Sequence, residues 1–346
     1  MTAGEIEVVQ QYAVPETIGF LLVPDFSMMA FTAAIEPLRL ANHISGRELY
    51  RWVLISRDGG TERASNGVVV AVDHGLADAP AFRTVILCSG IGGHWYEDAA
   101  VFSWMRRMAV QGVEFGSLCT GSHILARAGL LSGYRCTIHW ENMAGFTETF
   151  PNIDTTGELF TVDGNRFTCA GGTAAIDMML HRIVAAHGEV LAVRIAEQLL
   201  HDRIRSGAAR QQEAIMPDPG VDREDLLAAI LLMQANIEEP VDLLTLASKL
   251  GQSRRNIERL FRKHLDCSPA KYYMALRLKK ARQLLSQTRM SVMEVSISCG
   301  FVSATHFSKC YRDHFGVPPR NDQQSGRIRS LAPVRHSPPL AKAVVR

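Results

Sequence analysis

The first 222 residues of this 346-residue chain contain no lysine. They hold 16 arginines against 25 acidic residues, a net charge of −9, which excludes that stretch as a polyanion-binding surface. Seven cysteines are present, but no CxxC pair and no Cys/His spacing suited to zinc, so neither a zinc finger nor a stapled secreted fold is expected. No run approaches the roughly 18–20 apolar residues of a membrane span. The opening MTAGEIEVVQ is acidic and lacks the apolar core of a signal peptide. A reduced, cytoplasmic protein that needs no metal, cofactor or membrane is the expectation. With 47% hydrophobic residues over this length, two domains with substantial cores are expected.

The missing positive charge lies at the other end. Residues 223–322 carry 16 Lys plus Arg against 10 acidic residues, and the tail beyond adds five basic residues and no acidic one. A repeat coincides with this basic region. LASKLGQSRRNIERLFRKHLDCSP (Leu246–Pro269) and VSISCGFVSATHFSKCYRDHFGVPP (Val295–Pro319) both read as helix-turn-helix. Ser253, Ile257, Phe261 and His264 recur 50 positions later as Ser303, Phe307, Tyr311 and His314, while Ala247 and Gly251 recur 49 later as Ser296 and Gly300. The extra residue falls in the turn, where GQS becomes GFVS. Such a unit lays its second helix in the DNA major groove, so double-stranded DNA is the expected partner. In the first copy, Ile257, Leu260, Phe261 and Leu265 form the core stripe. Arg254, Arg255, Asn256 and Arg259 are then left for base edges, with Arg262 and Lys263 for phosphates. In the second copy Phe307, Cys310, Tyr311 and Phe315 pack, exposing Ser303, Ala304, His306, Lys309 and Arg312. That face is poorer in charge and predicts more permissive readout. A helix over 270–287, unbroken by Pro or Gly, would hold the two readers about one DNA turn (roughly 10 bp) apart.

This region resembles the DNA-binding domain of the AraC/XylS family. The resemblance rests on Gly300-Phe301, Ser303, His306-Phe307, Lys309, Phe315-Gly316 and Pro318. Family members usually follow the last proline with an aromatic–Arg pair. Here Arg320-Asn321-Asp322 stands there, which leaves the closing contact of the last helix open.

The front half alternates short apolar runs with amphipathic segments. Strands are expected at 17–23, 51–57, 68–72, 83–88 and 113–119, a hairpin over 159–172, and helices over 28–43, 98–110, 122–128, 174–186 and 189–205. Continuous apolar strands between helices indicate an α/β domain, a mostly parallel, flavodoxin-like sheet covered on both faces. The back half is an all-α tandem helix-turn-helix domain. VEFGSLCTGSHILARAG (Val113–Gly129) takes an apolar strand into Cys119 and then a helix, the shape of a nucleophile elbow. The end of such a sheet is equally a ligand crevice.

With TIHW (Thr137–Trp140), the elbow resembles the PfpI-like, glutamine-amidotransferase-like superfamily, in which a His at the site of His139 lies near the Cys in many members. Thr120 replaces the His that follows the cysteine in peptidase members, and SMMAFTAA lacks the acid found early in the first helix. The resemblance therefore implies a pocket rather than an enzyme. A thiol-dependent hydrolase or amidase fused to a DNA reader is the alternative.

The fusion resembles the GlxA-like branch of transcription regulators, whose members sense quaternary amines such as glycine betaine and carnitine, or amino acids such as arginine. The expected ligand-binding residues are Cys119, Thr120, His139, Trp140, Trp95, Phe26 and Glu36, with the aromatic faces as a cage and Glu36 as counter-charge. The expected organisation is an arm (1–14), a sensor (15–205), a linker (206–222), the reader (223–322) and a disordered basic tail (323–346). A small-molecule inducer, a second copy of the chain and RNA polymerase are the further expected partners of this activator.

Overall fold

The computed structural model describes residues 14–211 and 221–324. The expected arm apart from Val14, the centre of the expected linker and the basic tail past residue 324 lie outside them. The chain divides into two compact units.

In chain order the elements begin β1 (Glu16–Leu22), α1 (Met28–Ser45), β2 (Tyr50–Ile55), β3 (Thr61–Arg63), β4 (Val69–Ala71), β5 (Thr84–Cys88), α2 (Ala99–Val110) and β6 (Glu114–Leu118). They continue α3 (Gly121–Arg127), β7 (Cys136–Thr137), α4 (Met143–Thr149), β8 (Thr155–Thr156), β9 (Phe160–Asp163), β10 (Arg166–Cys169), α5 (Ala174–His187) and α6 (Glu189–Gln198). The last six are α7 (Val221–Ala235), α8 (Leu243–Lys249), α9 (Arg254–Leu265), α10 (Pro269–Gln287), α11 (Val292–Ser298) and α12 (Ala304–Phe315).

The first unit is built on a six-stranded sheet in the order β2-β1-β5-β6-β10-β9, parallel except for β9, which pairs antiparallel with β10. Ile18, Phe20, Leu22, Ile86 and Leu118 join α1, α5 and α6 in one apolar cluster. By the two-residue alternation of a strand, Leu21, Val85, Leu87 and Phe115 point to the opposite face, and all are fully buried. Both faces are therefore covered, which explains why the strands read as unbroken apolar runs.

Two expectations fail here. VVVAV (68–72) is not in the sheet; β4 pairs with β3 in a separate two-stranded ribbon, where Val68 and Val69 are about half exposed. The helix expected over 189–205 stops at Gln198, and Leu200 takes a left-handed φ of 54°. Its break has a cause. Fully buried Asp177 on α5 accepts from His201 Nε2 (2.9 Å), the Arg205 backbone N–H (2.7 Å) and the Arg205 guanidinium (2.6 Å), drawing the chain back onto α5.

The second unit contains α7–α12 and two cores. α7, α8, α9 and the start of α10 enclose Ile257, Leu260 and Phe261; the rest of α10 with α11 and α12 encloses Phe301, Phe307 and Tyr311. α10 thus contributes to both. Tyr273 donates its hydroxyl to the Asn236 carbonyl beside the first motif. One turn later Arg277 donates to the Cys299 (2.8 Å) and Gly300 (2.7 Å) carbonyls in the turn of the second, its guanidinium lying 4.1 Å from the Phe301 ring centre. Asp322 makes the closing contact of α12, accepting from Tyr311 Oη at 2.8 Å and pairing with Arg282 at 2.9 Å. The carboxylate ties the chain after Pro319 back to the bundle. No helix among the described residues is long and apolar enough to cross a membrane.

Candidate functional site

Both recognition helices begin alike. Ser253 and Ser303 have extended backbones, and their hydroxyls accept from the N–H groups of Asn256 (3.1 Å) and His306 (3.3 Å). Such caps contribute about 1 kcal/mol each and fix where the helix starts. Gly251 and Gly300 hold left-handed φ values of 63° and 74° in the preceding turns. At Gly300 a Cβ would stand 2.6 Å from the Ile237 carbonyl oxygen, so any larger residue would displace the turn.

On α9, Arg254, Arg255, Arg259, Arg262 and Lys263 are exposed. Arg254 pairs with Glu258 at 2.9 Å. Asn256, half-buried, accepts from the Arg259 guanidinium (2.8 Å) and donates to Gln252 Oε1 (2.6 Å). Its amide is therefore engaged within its own helix and the turn before it. Arg255 and Arg262 form no ion pair among the described residues. On α12, Ser303, His306 and Lys309 are exposed and Ala304 is half-buried. His306 is packed at its own helix surface, with Nε2 3.3 Å from Cys310 Sγ and its ring 5.9 Å from Phe301. Thr305, passed over by the sequence reading, is exposed in the first turn, and Val302 is fully exposed in the turn before it. Only the two-residue step from the Ser303 cap could have singled out Thr305.

The elbow belongs to the first unit. Cys119 follows β6 with a φ of 58°, a left-handed backbone that costs a non-glycine residue about 1–3 kcal/mol. Its N–H donates to the Cys169 carbonyl at 3.0 Å. Gly171 has to be glycine, since a Cβ there would lie 2.8 Å from that of Cys119. Cys169, fully buried beside it, has its thiol pushed up to about 12 by burial and is inert at neutral pH.

The other expected pocket residues divide. Thr120 is buried; its hydroxyl donates to the Gly90 carbonyl (2.5 Å) and lies 2.9 Å from Ser89 Oγ, so it pins the loop after β5 to the elbow and is not a ligand wall. Phe26 is fully buried, edge-on to Phe31 at 5.7 Å, and is core. Glu36 pairs with Arg39 at 2.7 Å on the surface, about two and a half turns along α1 from its Ser27 cap, so it is no counter-charge for the elbow. Trp95, His139 and Trp140 belong to the second unit. There the Lys279 ammonium already lies 5.1 Å from the Trp140 ring centre, and His139 Nδ1 accepts from the Glu141 N–H at 3.4 Å. Burial lowers the His139 pKa, against the opposing pull of Glu141. The aromatic cage is therefore not assembled around Cys119 within its own unit. Asp25, in the turn after β1, has a left-handed φ of 58°, and burial raises its pKa in spite of Arg63.

Residues 246–325 match the helix-turn-helix domain family and residues 16–185 the DJ-1/PfpI family. The chain is 48% identical over 310 residues to the HTH-type transcriptional regulator GbdR of Pseudomonas aeruginosa, covering 90% of this chain and 84% of that one. The chain belongs to the AraC family of transcriptional regulators. Within it, the regulator falls in the GlxA-like branch that carries a DJ-1/PfpI domain; the HTH-type transcriptional regulator GlxA of Rhizobium meliloti is 35% identical over 305 residues, covering 88% and 94% of the two chains. The front half is also similar to the isonitrile hydratase of Pseudomonas putida, 30% identical over 166 residues, 47% of this chain and 68% of the enzyme. It is a ligand-responsive, DNA-binding transcription regulator.

Proposed function

We propose that this regulator is a cytoplasmic activator of catabolic genes, controlled by a small metabolite bound at the Cys119 elbow and acting as a homodimer that engages RNA polymerase. The observation that carries the reading is the joining of a basic, doubly capped reader to an elbow that has kept its cysteine but lost its acid. The first turn of α1 holds no acid. A thiol without that partner forms a wall more readily than a nucleophile.

In this reading Arg254, Arg255 and Arg259 reach base edges, with Asn256 holding Arg259 in place. Arg262 and Lys263 grip phosphates, and Ser303, Ala304, His306 and Lys309 supply the more permissive second contact. The sensor spans 15–205, the linker 206–222 and the reader 223–322. The ligand class is the one expected of the branch, a quaternary amine such as glycine betaine or carnitine, or an amino acid such as arginine. No aromatic cage is invoked. The ligand acts by binding the two states of the regulator unequally.

The similarity to an isonitrile hydratase favours one competing reading, in which Cys119 performs chemistry on the inducer. Replacement of Cys119 by Ser separates the two. A sensor keeps inducible transcription from its promoter, with the inducer recovered unchanged. Consumption of the inducer by the wild type but not by the variant would establish the enzyme.

A further inference from the structure

The sheet of the first unit has a second inhabited end. The elbow sits at the carboxyl ends of β1, β5 and β6. At their amino ends, some five residues and roughly 16 Å away along the strands, a half-open cavity of about 600 Å³ lies between the sheet, α1, α5 and the segment leading into β2. That volume lies within the ~300–1,000 Å³ range of small-molecule sites.

Its charges are unevenly matched. On the sheet side, Glu114 is held by Arg182 through two bonds, Nη1 to Oε1 at 2.9 Å and Nη2 to Oε2 at 2.7 Å. Glu16 shares the same guanidinium at 3.9 Å and accepts from the Thr84 hydroxyl at 2.8 Å. Arg182 in turn lies 4.2 Å from the Phe167 ring centre, so this cluster is held in place. At the rim, Arg47 and Arg83 also line the cavity, and neither forms an ion pair among the described residues. The lining therefore carries one positive charge in excess, although Arg83 also acts on Glu114 at longer range. Leu49 and Val162 give the lining accessible apolar surface, whereas Ile18, Leu38 and Met179 are almost wholly buried. Tyr50 adds a hydroxyl that stays protonated at neutral pH, because burial pushes its pKa up to about 12, reinforced by Glu16.

We propose that this cavity is a second ligand site, taking a small organic monocarboxylate. Its carboxylate meets Arg47 and Arg83, and its hydrocarbon body lies against Leu49 and Val162. A guanidinium supplies a carboxylate with forked, charge-assisted bonds that an amide of the same shape does not receive. The site is separate from the elbow, so the regulator would carry two ligand positions at opposite ends of one sheet.

The test is calorimetric titration of the full-length protein with the straight-chain carboxylates acetate through octanoate, each paired with its primary amide. At least one carboxylate should bind at least about tenfold more tightly than its amide, a difference of ~1.4 kcal/mol. Arg47→Gln/Arg83→Gln should weaken that carboxylate by a similar factor, while Cys119→Ser leaves it unchanged. Both arginines are exposed, so the double variant should keep the wild-type circular dichroism and Tm without ligand; if it does not, each single variant is read instead. Equal binding of amide and carboxylate, undiminished binding by the arginine variants, or loss of binding in Cys119→Ser overturns the proposal. So does the absence of binding by every member of the series at about 10 mM, since such a Kd corresponds to less than ~3 kcal/mol. Failure of the elbow as an inducer site leaves these outcomes untouched.

Discussion

At the scale of single residues, the first recognition helix separates its arginines by what already holds them. Arg254 is shared with Glu258 and Arg259 with Asn256, whereas Arg255 and Arg262 form no ion pair among the described residues. Arg255→Ala is expected to cost about 1–3 kcal/mol of operator binding and to relax preference at one base position. Arg262→Ala should weaken binding to all sequences alike and lower the salt slope of log K by about 1. Titrations of operator and scrambled duplex at several salt concentrations distinguish the two. Equal losses of specificity from both would refute the division into base and phosphate contacts. At the elbow the same scale shows what a sequence conceals. Cys119 was legible because strand, cysteine and helix follow in one pattern. Phe26 and Thr120 were not, since an aromatic after a strand and a hydroxyl after an elbow look alike whether they face a ligand or, as here, face Phe31 and Gly90.

Among elements, α10 carries the most consequence. It belongs to both cores of the reader and holds the turn of the second motif through Arg277, a half-buried guanidinium whose pKa is lowered chiefly by desolvation. Arg277→Met keeps much of the packing but leaves the Cys299 and Gly300 carbonyls without these donors. A loss of about 1–3 kcal/mol in reader stability is expected. Affinity for the whole operator should fall more than affinity for a duplex bearing only the first contacted segment, and competition between the two duplexes measures it. The elements themselves were largely readable. Apolar runs made β1, β2, β5 and β6 readable, and the stripes Ile257, Leu260, Phe261, Leu265 and Phe307, Cys310, Tyr311, Phe315 did the same for α9 and α12. What misled was context. VVVAV has strand composition but joins only a two-stranded ribbon outside the main sheet, and the end of α6 is decided by Asp177, a residue more than twenty positions earlier. Neither long-range fact leaves a mark in local periodicity.

For the whole molecule, acid is the informative variable. Burial lowers the pKa of His139 and of His187, the latter with a further push from Arg47. The native protein therefore binds fewer protons than the unfolded chain just below the ordinary histidine value of 6.5, and stability should fall as pH drops through that value. Glu114 adds to the loss at lower pH: burial would raise its pKa, but Arg182 holds it below the carboxylate value of 4.5. Urea unfolding midpoints between about pH 7.5 and pH 5.5 should decline in the wild type and decline less in a His139→Gln/His187→Gln variant. A midpoint that rises on acidification over that range would contradict this account.

The long helix shared by the two readers also constrains the DNA. A connector embedded in both cores does not stretch, so the operator becomes an object of set length. Each base pair inserted between the two contacted segments turns one of them about the duplex axis by roughly 35°, away from a helix that cannot follow. Base changes within a segment are tolerated by degrees, because each removes one contact among many. A change of spacing removes a whole helix at once. The sites this regulator recognises among promoters are therefore free to drift in letter but not in length.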